Sequence, residues 1–376
     1  MEITQAIWTE HGPPPRDGEG EQPLLVLAFA PPQRLQWPET WQSLRRRWPN
    51  AAIVAASTAG EIQGARVLDE SLVTTTLTST KTAVRCASTS LASHAGSEDA
   101  GAALASMLAG PGLRHVLVFS DGLNVNGSAL VRGLTRGLPP AVSLSGGLCG
   151  DGARFERTFV SLNAFDEAPS VVGIGFYGDE LRVGVGSLGG WDSFGPERRI
   201  TRSEGNVLYE LDGQPALSLY EKYLGHHAAD LPASGLLFPL TVRAERQGQG
   251  VVRTILGVNS ATKSLRFAGD VPVGSFARLM HANFDRLIDG AVGAAVASRA
   301  GLRGSRAELA ILISCIGRKL VLKQRVEEEL EGVQRVVGPE AKLTGFYSYG
   351  EISPFAADAR CELHNQTMTV TTLSEA

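Results

Sequence analysis

The sequence predicts an α/β protein with mixed sheets, built from repeated strand–helix–strand units and grouped into two pseudo-related domains. Three observations carry that expectation. Apolar runs at residues 24–30, 115–120 and 309–315 are each followed by a helix-spaced stretch and a second apolar run, at 51–56, 141–144 and 343–347. Each second run enters a glycine-containing turn: Ser57-Thr58-Ala59-Gly60-Glu61-Ile62, Ser145-Gly146-Gly147 and Ser348-Tyr349-Gly350-Glu351-Ile352. Alternating Thr-, Val- and Ser-rich runs then follow, the pattern of strands with one face toward a core.

Taken in order, residues 1–8 read as a short strand, and 10–23, rich in Pro, Gly and Glu, as a mobile loop. The helix at 38–48 carries Trp41, Leu44 and Trp48 at helical spacing and ends at Pro49-Asn50. Residues 72–80 and 82–91 are expected to be adjacent antiparallel strands. A helix at 97–108 opens with an acidic first turn behind Ser97 as its cap. The second unit places a helix at 127–137, and further strands are expected at 155–163, 171–177 and 181–187. Residues 189–213, rich in loop formers, mark a joint and hinge, with the domain boundary at 195–213. Beyond it come a helix around 215–224, strands at 235–242, 251–259 and 264–267, and a long helical stretch over 274–304. The last unit adds a helix at 318–331 and a strand at 361–372. The domains are therefore 1–23 (strand and flexible loop), 24–200 and 213–376.

A chain of 376 residues is too long for one ordinary core, which fits two domains. A hydrophobic share of 43% with 20% charged residues describes a folded globular protein. The net charge of −4 argues against a nucleic-acid surface. No apolar run reaches membrane-spanning length and no leader pattern opens the chain, so no membrane insertion and a cytoplasmic location are expected. Cys86, Cys149, Cys315 and Cys361 are widely spaced, the pattern of reduced thiols and not of a zinc site or disulfide framework.

The two turns that keep a carboxylate are the candidate ligand sites. Tyr347, Ser348 and Tyr349 offer hydroxyls, Gly350 permits close backbone approach, and Glu351 adds one charge; Ser57, Thr58, Gly60 and Glu61 repeat the pattern. The alternative is a structural turn whose glutamate caps backbone amides. Cys315 and Arg318 lie where a strand end meets a helix start, the usual ligand crevice of open α/β sheets. Arg318 there meets either an anion or solvent. Asn365, within His364-Asn365-Gln366-Thr367, either locks the Glu351 turn or reaches a ligand. His226, His227 and His281 are candidate axial ligands for an iron or haem. No nucleophile elbow, P-loop, zinc-helix motif or complete dinucleotide fingerprint is present, and Cys149 is the one thiol set in a glycine-rich turn.

Together these phrases resemble a known family. Ser57-Thr58-Ala59-Gly60-Glu61-Ile62 resembles the signature of FIST N domains. Gly213-Gln214-Pro215-Ala216-Leu217-Ser218-Leu219-Tyr220, Ser314-Cys315-Ile316-Gly317-Arg318, and Phe346-Tyr347-Ser348-Tyr349-Gly350-Glu351-Ile352 with His364-Asn365-Gln366-Thr367 resemble FIST C. The resemblance spans residues 24–372. It implies a sensory module of bacterial signal transduction that binds a small ligand and signals through a separate partner such as a histidine kinase. One branch of the family comprises haem-binding nitric oxide sensors, which implies haem b as a cofactor; the family phrases quoted contain none of the three candidate histidines. The expectation is a non-enzymatic sensor, with a homodimer as its assembly. The alternatives are an amino-acid sensor, a cysteine-dependent hydrolase using Cys149 or Cys315, and an interaction scaffold of the kind FIST domains form beside an F-box.

Overall fold

The computed structural model describes residues 1–8, 22–245, 250–354 and 360–376. The loop read at 10–23 lies, but for its last two residues, outside the described residues.

The three strand–helix–strand units are all present, each as a parallel pair with its helices between. Leu25–Ala30 pairs with Ala52–Ser57, Leu113–Ser120 with Ser143–Leu148, and Leu309–Cys315 with Lys342–Ser348. The first strands are apolar because both faces are covered, as parallel strands require; Leu25–Ala30 and Leu309–Cys315 are buried along their whole length.

The three pairs sit in three separate sheets built to one plan. Beside each first strand lies an antiparallel strand from the same unit: Leu72–Thr78, Ser170–Tyr177 and Met368–Glu375. Outside that comes the strand that opens the unit: Glu2–Trp8, Ala83–Ser90 and Leu181–Leu188. Beside each second strand lies a strand lent by another unit. Ala52–Ser57 takes Val160–Leu162, Ser143–Leu148 takes Gly350–Pro354, and Lys342–Ser348 takes Glu61–Gln63. The exchange is cyclic, so each unit gives one strand and receives one. The result is a pseudo-threefold body in which the N- and C-terminal halves share sheets. At its centre the rings of Phe29, Phe119 and Phe346 meet with centroids 5.0–5.8 Å apart.

Between the second and third units, the described residues between Trp191 and Ala282 include an antiparallel sheet of eight strands with its own core around Ile200, Leu208, Tyr220 and Phe267. This replaces the expected joint. Trp191–Glu204 is one long strand, pairing with Phe276–Ala282 and then with Val207–Leu211 around an irregularity between Phe194 and Arg198, so the segment is paired backbone and no loop hinge.

Other expectations change with the topology. Residues 72–80 and 82–91 do not pair: Leu72–Thr78 and Ala83–Ser90 belong to different sheets, because each is claimed by the core of its own unit. Ser97 does not cap the helix Ser97–Leu108, whose N-cap is Gly96; its hydroxyl accepts from the Asn126 amide. Only Val160–Leu162 of 155–163 is strand. The stretch 274–304 divides into the strand Phe276–Ala282 and the helix Phe284–Gly301, and 318–331 into the helices Ile316–Leu322 and Val326–Val337. The stretch 361–372 is likewise broken, into Cys361–His364 and Met368–Glu375.

Gly146 and Gly147 are not a turn. They lie within the strand Ser143–Leu148, and Gly146 is the counterpart of Gly345. Both glycines have positive φ, +155° and +153°, and a Cβ on either would come within 2 Å of a carbonyl of the neighbouring strand, Val118 or Leu312. A side chain there is sterically shut out.

Candidate functional site

The glycine turns meet where the second strands of the three units leave their sheets. Three backbone hydrogen bonds close a ring between the units: Ala59 N–H to Tyr347 O at 2.8 Å, Tyr349 N–H to Leu148 O at 3.1 Å, and Gly150 N–H to Ser57 O at 3.0 Å. The third copy of the turn is therefore Leu148-Cys149-Gly150-Asp151, immediately after the glycine pair that the sequence brings to notice. It also carries a carboxylate, one position earlier than in the other two copies.

Each carboxylate is used the same way, to hold a return loop. Ser348 Oγ donates to Glu351 at 2.6 Å, and the Thr367 amide and hydroxyl donate to its other oxygen at 3.1 and 2.9 Å. Thr58 Oγ1 donates to Glu61, whose second oxygen accepts the Ser71 amide at 3.2 Å. Asp151 accepts the amides of Phe155, Glu156 and Arg157 and the Tyr349 hydroxyl. Glu61 and Glu351 are almost fully buried, and burial pushes each carboxyl up to about 8 against the pull of its hydrogen bonds. Burial thus opposes the charge on both side chains, while every hydrogen bond they make is one they accept.

Arg318 is fully buried and forms an ion pair with Glu329 at 2.8 Å, while donating to the carbonyls of Gly189 and Leu287. Ser314 Oγ and Tyr347 Oη donate to the same glutamate at 3.1 and 2.7 Å. The partner of this oddly placed first-turn arginine is thus a helix glutamate and not solvent. Glu329 hides among Glu327, Glu328 and Glu331. Its one signal was phase, since it falls three residues after Val326 and four before Val333, on the apolar face. Asn365 Nδ2 donates to Tyr349 O at 2.9 Å and its Oδ1 accepts the Thr254 amide, so it ties the turn to the inserted sheet. Lys319 Nζ bonds Ala59 O at 3.0 Å and pairs with Asp69.

The structure therefore brings Ser57, Thr58, Gly60, Glu61, Cys315, Arg318, Tyr347, Ser348, Tyr349, Gly350, Glu351 and Asn365 around one crossing. Their buried polar side-chain atoms all have partners within the protein; among the described residues the orphans are Ser234 Oγ, Arg243 Nε and Gln366 Oε1. Burial raises the Cys149 and Cys315 thiols well above the normal range.

The histidines lie elsewhere. His226 and His227 stack at 4.0 Å, His227 packs on Phe238 at 5.8 Å, Phe238 on Phe194 at 6.4 Å, and Phe194 on His281 at 5.5 Å. The adjacent pair His226-His227, on the short helix Gly225–Asp230, thus shares one aromatic cluster with His281 of the strand Phe276–Ala282.

A cleft of about 1130 Å³ opens at a third place. The helix Gly127–Gly137 and residues 138–144 form one wall. The strands Leu240–Arg243 and Val251–Arg253, together with Cys361–His364, contribute to the other. Arg132, Arg136, Arg253, Arg360, Asp270 and Glu362 supply its charges. Sequence reading missed these residues, because no motif joins four arginines that converge from three segments.

Comparison with known proteins places the chain. The FIST N domain matches residues 24–214 and the FIST C domain residues 216–354. No curated protein matches the sequence. Among solved structures, a cyanuric acid hydrolase from A. caulinodans aligns over 78% of this chain and 99% of its own at 11% identity, but its TM-score of 0.18 carries no argument. Among the described residues no helix is long and apolar enough to cross a membrane. With both domain models covering most of its length, the chain belongs to the FIST family of signal-transduction sensor domains.

Proposed function

We propose that this protein is a cytoplasmic, non-catalytic sensor whose small ligand sits in the cleft between its two halves. The observation that carries the reading is that the walls come from both domains, residues 128–144 within the FIST N match on one side and Val242, Val251, Arg253 and Asp270 within the FIST C match on the other. A ligand there touches both halves at once. It therefore favours one relative arrangement over another, which is the requirement for signalling. The turn residues are the hub that joins the three units, and they transmit rather than receive. The output passes to a separate protein such as a histidine kinase. The buried, raised thiols of Cys149 and Cys315 support a sensor over a cysteine-dependent hydrolase.

The test is a thermal-shift panel that includes the amino acids. A cognate ligand at a hundredfold excess over its dissociation constant adds about 2.7 kcal/mol of stability. A panel without any saturable stabilisation would remove the reading.

The histidine cluster supports a second reading, haem-dependent nitric oxide sensing. His281 Nδ1 lies 3.4 Å from Ala282 O, an orientation that leaves Nε2 for iron, and Phe194 and Phe238 offer apolar faces beside it. Haem would supply the gas-binding iron there. The protein mixed with haem would then show a Soret band that nitric oxide shifts and that His281→Ala displaces. A featureless spectrum refutes this reading.

A further inference from the structure

Arg253 is 5% exposed and lies against the cleft, yet no carboxylate is within ion-pairing distance of it among the described residues. Its Nε donates to Asp270 O at 2.9 Å, and its Nη1 to Leu363 O at 2.9 Å and Val252 O at 3.3 Å. Nη2 has a single long contact, 3.4 Å, to Ser128 Oγ. A guanidinium has five N–H donors, so these four contacts leave one without an acceptor. A buried charge normally has a counter-charge in contact. Here the carbonyls orient the group without neutralising it.

The surroundings deepen the imbalance. Ser128 stands in the first turn of the helix Gly127–Gly137, whose dipole sets its positive end beside Arg253. Of the two wall carboxylates whose charge reaches Arg253, Glu362 is exposed and Asp270 is engaged by Arg132 at 2.6 Å and by Asn126 Nδ2 at 2.7 Å. Arg136 is paired with Glu98 at 2.8 Å. That leaves Arg253 and the exposed Arg360 facing the cleft against the exposed Glu362, an excess of positive charge. Val131, Val142 and Leu144 supply an apolar wall beside it.

We infer that the cleft takes a small molecule bearing an oxyanion, carboxylate or phosphate, held by Arg253 at the start of the helix Gly127–Gly137, with its apolar portion along Val131, Val142 and Leu144. The inference rests on the sensor reading above and names the chemistry of its ligand. Burial depresses the Arg253 guanidinium to about 10, and the charges of Glu362 and Asp270 offset that only in part.

The experiment titrates the full chain with inorganic phosphate and, separately, with hexanoate. Binding is followed by calorimetry and thermal shift against sodium chloride of equal ionic strength. Saturable binding of either anion is expected, and the two arms separate phosphate from carboxylate. Arg253→Gln weakens it at least ~10-fold, the value of a lost charge-assisted hydrogen bond. Because Arg253 also ties three carbonyls together, two surface variants guard against misfolding: Arg360→Ala weakens binding several-fold, and Val142→Trp, which fills the cleft, abolishes it. Binding that tracks ionic strength alone, or that survives both surface variants unchanged, overturns the inference. If neither anion binds while a neutral or cationic compound binds and Val142→Trp abolishes that, the sensor reading stands and the anion assignment falls. If no compound of any charge binds, both fall.

Discussion

Glu329→Leu is the sharpest test of the hub. The change removes the one carboxylate that Arg318 meets, in a site where both side chains have no exposed surface. It leaves the guanidinium with only the carbonyls of Gly189 and Leu287, and strips an acceptor from Ser314 and Tyr347. Breaking a buried pair by deleting one partner costs about 3–5 kcal/mol. The two abandoned hydroxyls push the expectation to the upper end of that range. Arg318→Met with Glu329→Leu removes both charges together, and apolar replacement of a whole buried pair is close to neutral. The double variant should return to within about 2 kcal/mol of the parent, the residue being the two hydroxyls. Urea unfolding followed by circular dichroism measures all three proteins. The reasoning fails if Glu329→Leu costs less than about 1 kcal/mol, or if the double variant is as unstable as Glu329→Leu alone.

Three further outcomes are expected. Glu61 and Glu351 bind a proton more tightly when folded, rising from 4.5 to about 8, so stability from this source is complete below pH 4.5 and declines as pH climbs toward 8; urea midpoints at pH 5, 6.5 and 8 should fall in that order, and Glu351→Gln should flatten the slope. Gly345→Ala would set a Cβ 1.7 Å from Leu312 O and should cost more than ~3 kcal/mol or prevent folding, while Gly304→Ala, with open space around it, should cost about 1 kcal/mol for its positive φ alone; equal melting temperatures would contradict this. Iodoacetamide should leave Cys149 and Cys315 unlabelled in the folded protein and label them in urea, as mass spectrometry of peptides would report, because burial keeps both as thiols.

Much of the local structure was legible in the chain. The apolar first strands and the helix Gly127–Gly137 follow from runs and periods a few residues long; the bounds of that helix and of Leu309–Cys315 match, and the other first strands start within two residues of the expected place. The recurrence of one strand–helix–strand phrase three times likewise announced three alike units. Partner choice was not legible. Leu72–Thr78 and Ala83–Ser90 look like a hairpin, yet each joins a different sheet, since the burial that decides the matter is supplied by residues far away in sequence. The same distinction runs through the candidate site. Sequence alone determined that Glu61 and Glu351 occupy matching turns and that Arg318 stands in an awkward first turn. Only the tertiary structure decided that the turns close on one another in a ring, that Glu329 answers Arg318, and that Arg253 faces the cleft without a carboxylate. Those facts depend on which groups meet when water is excluded, and the strength of a charge or hydrogen bond is set by that exclusion rather than by neighbours in the chain.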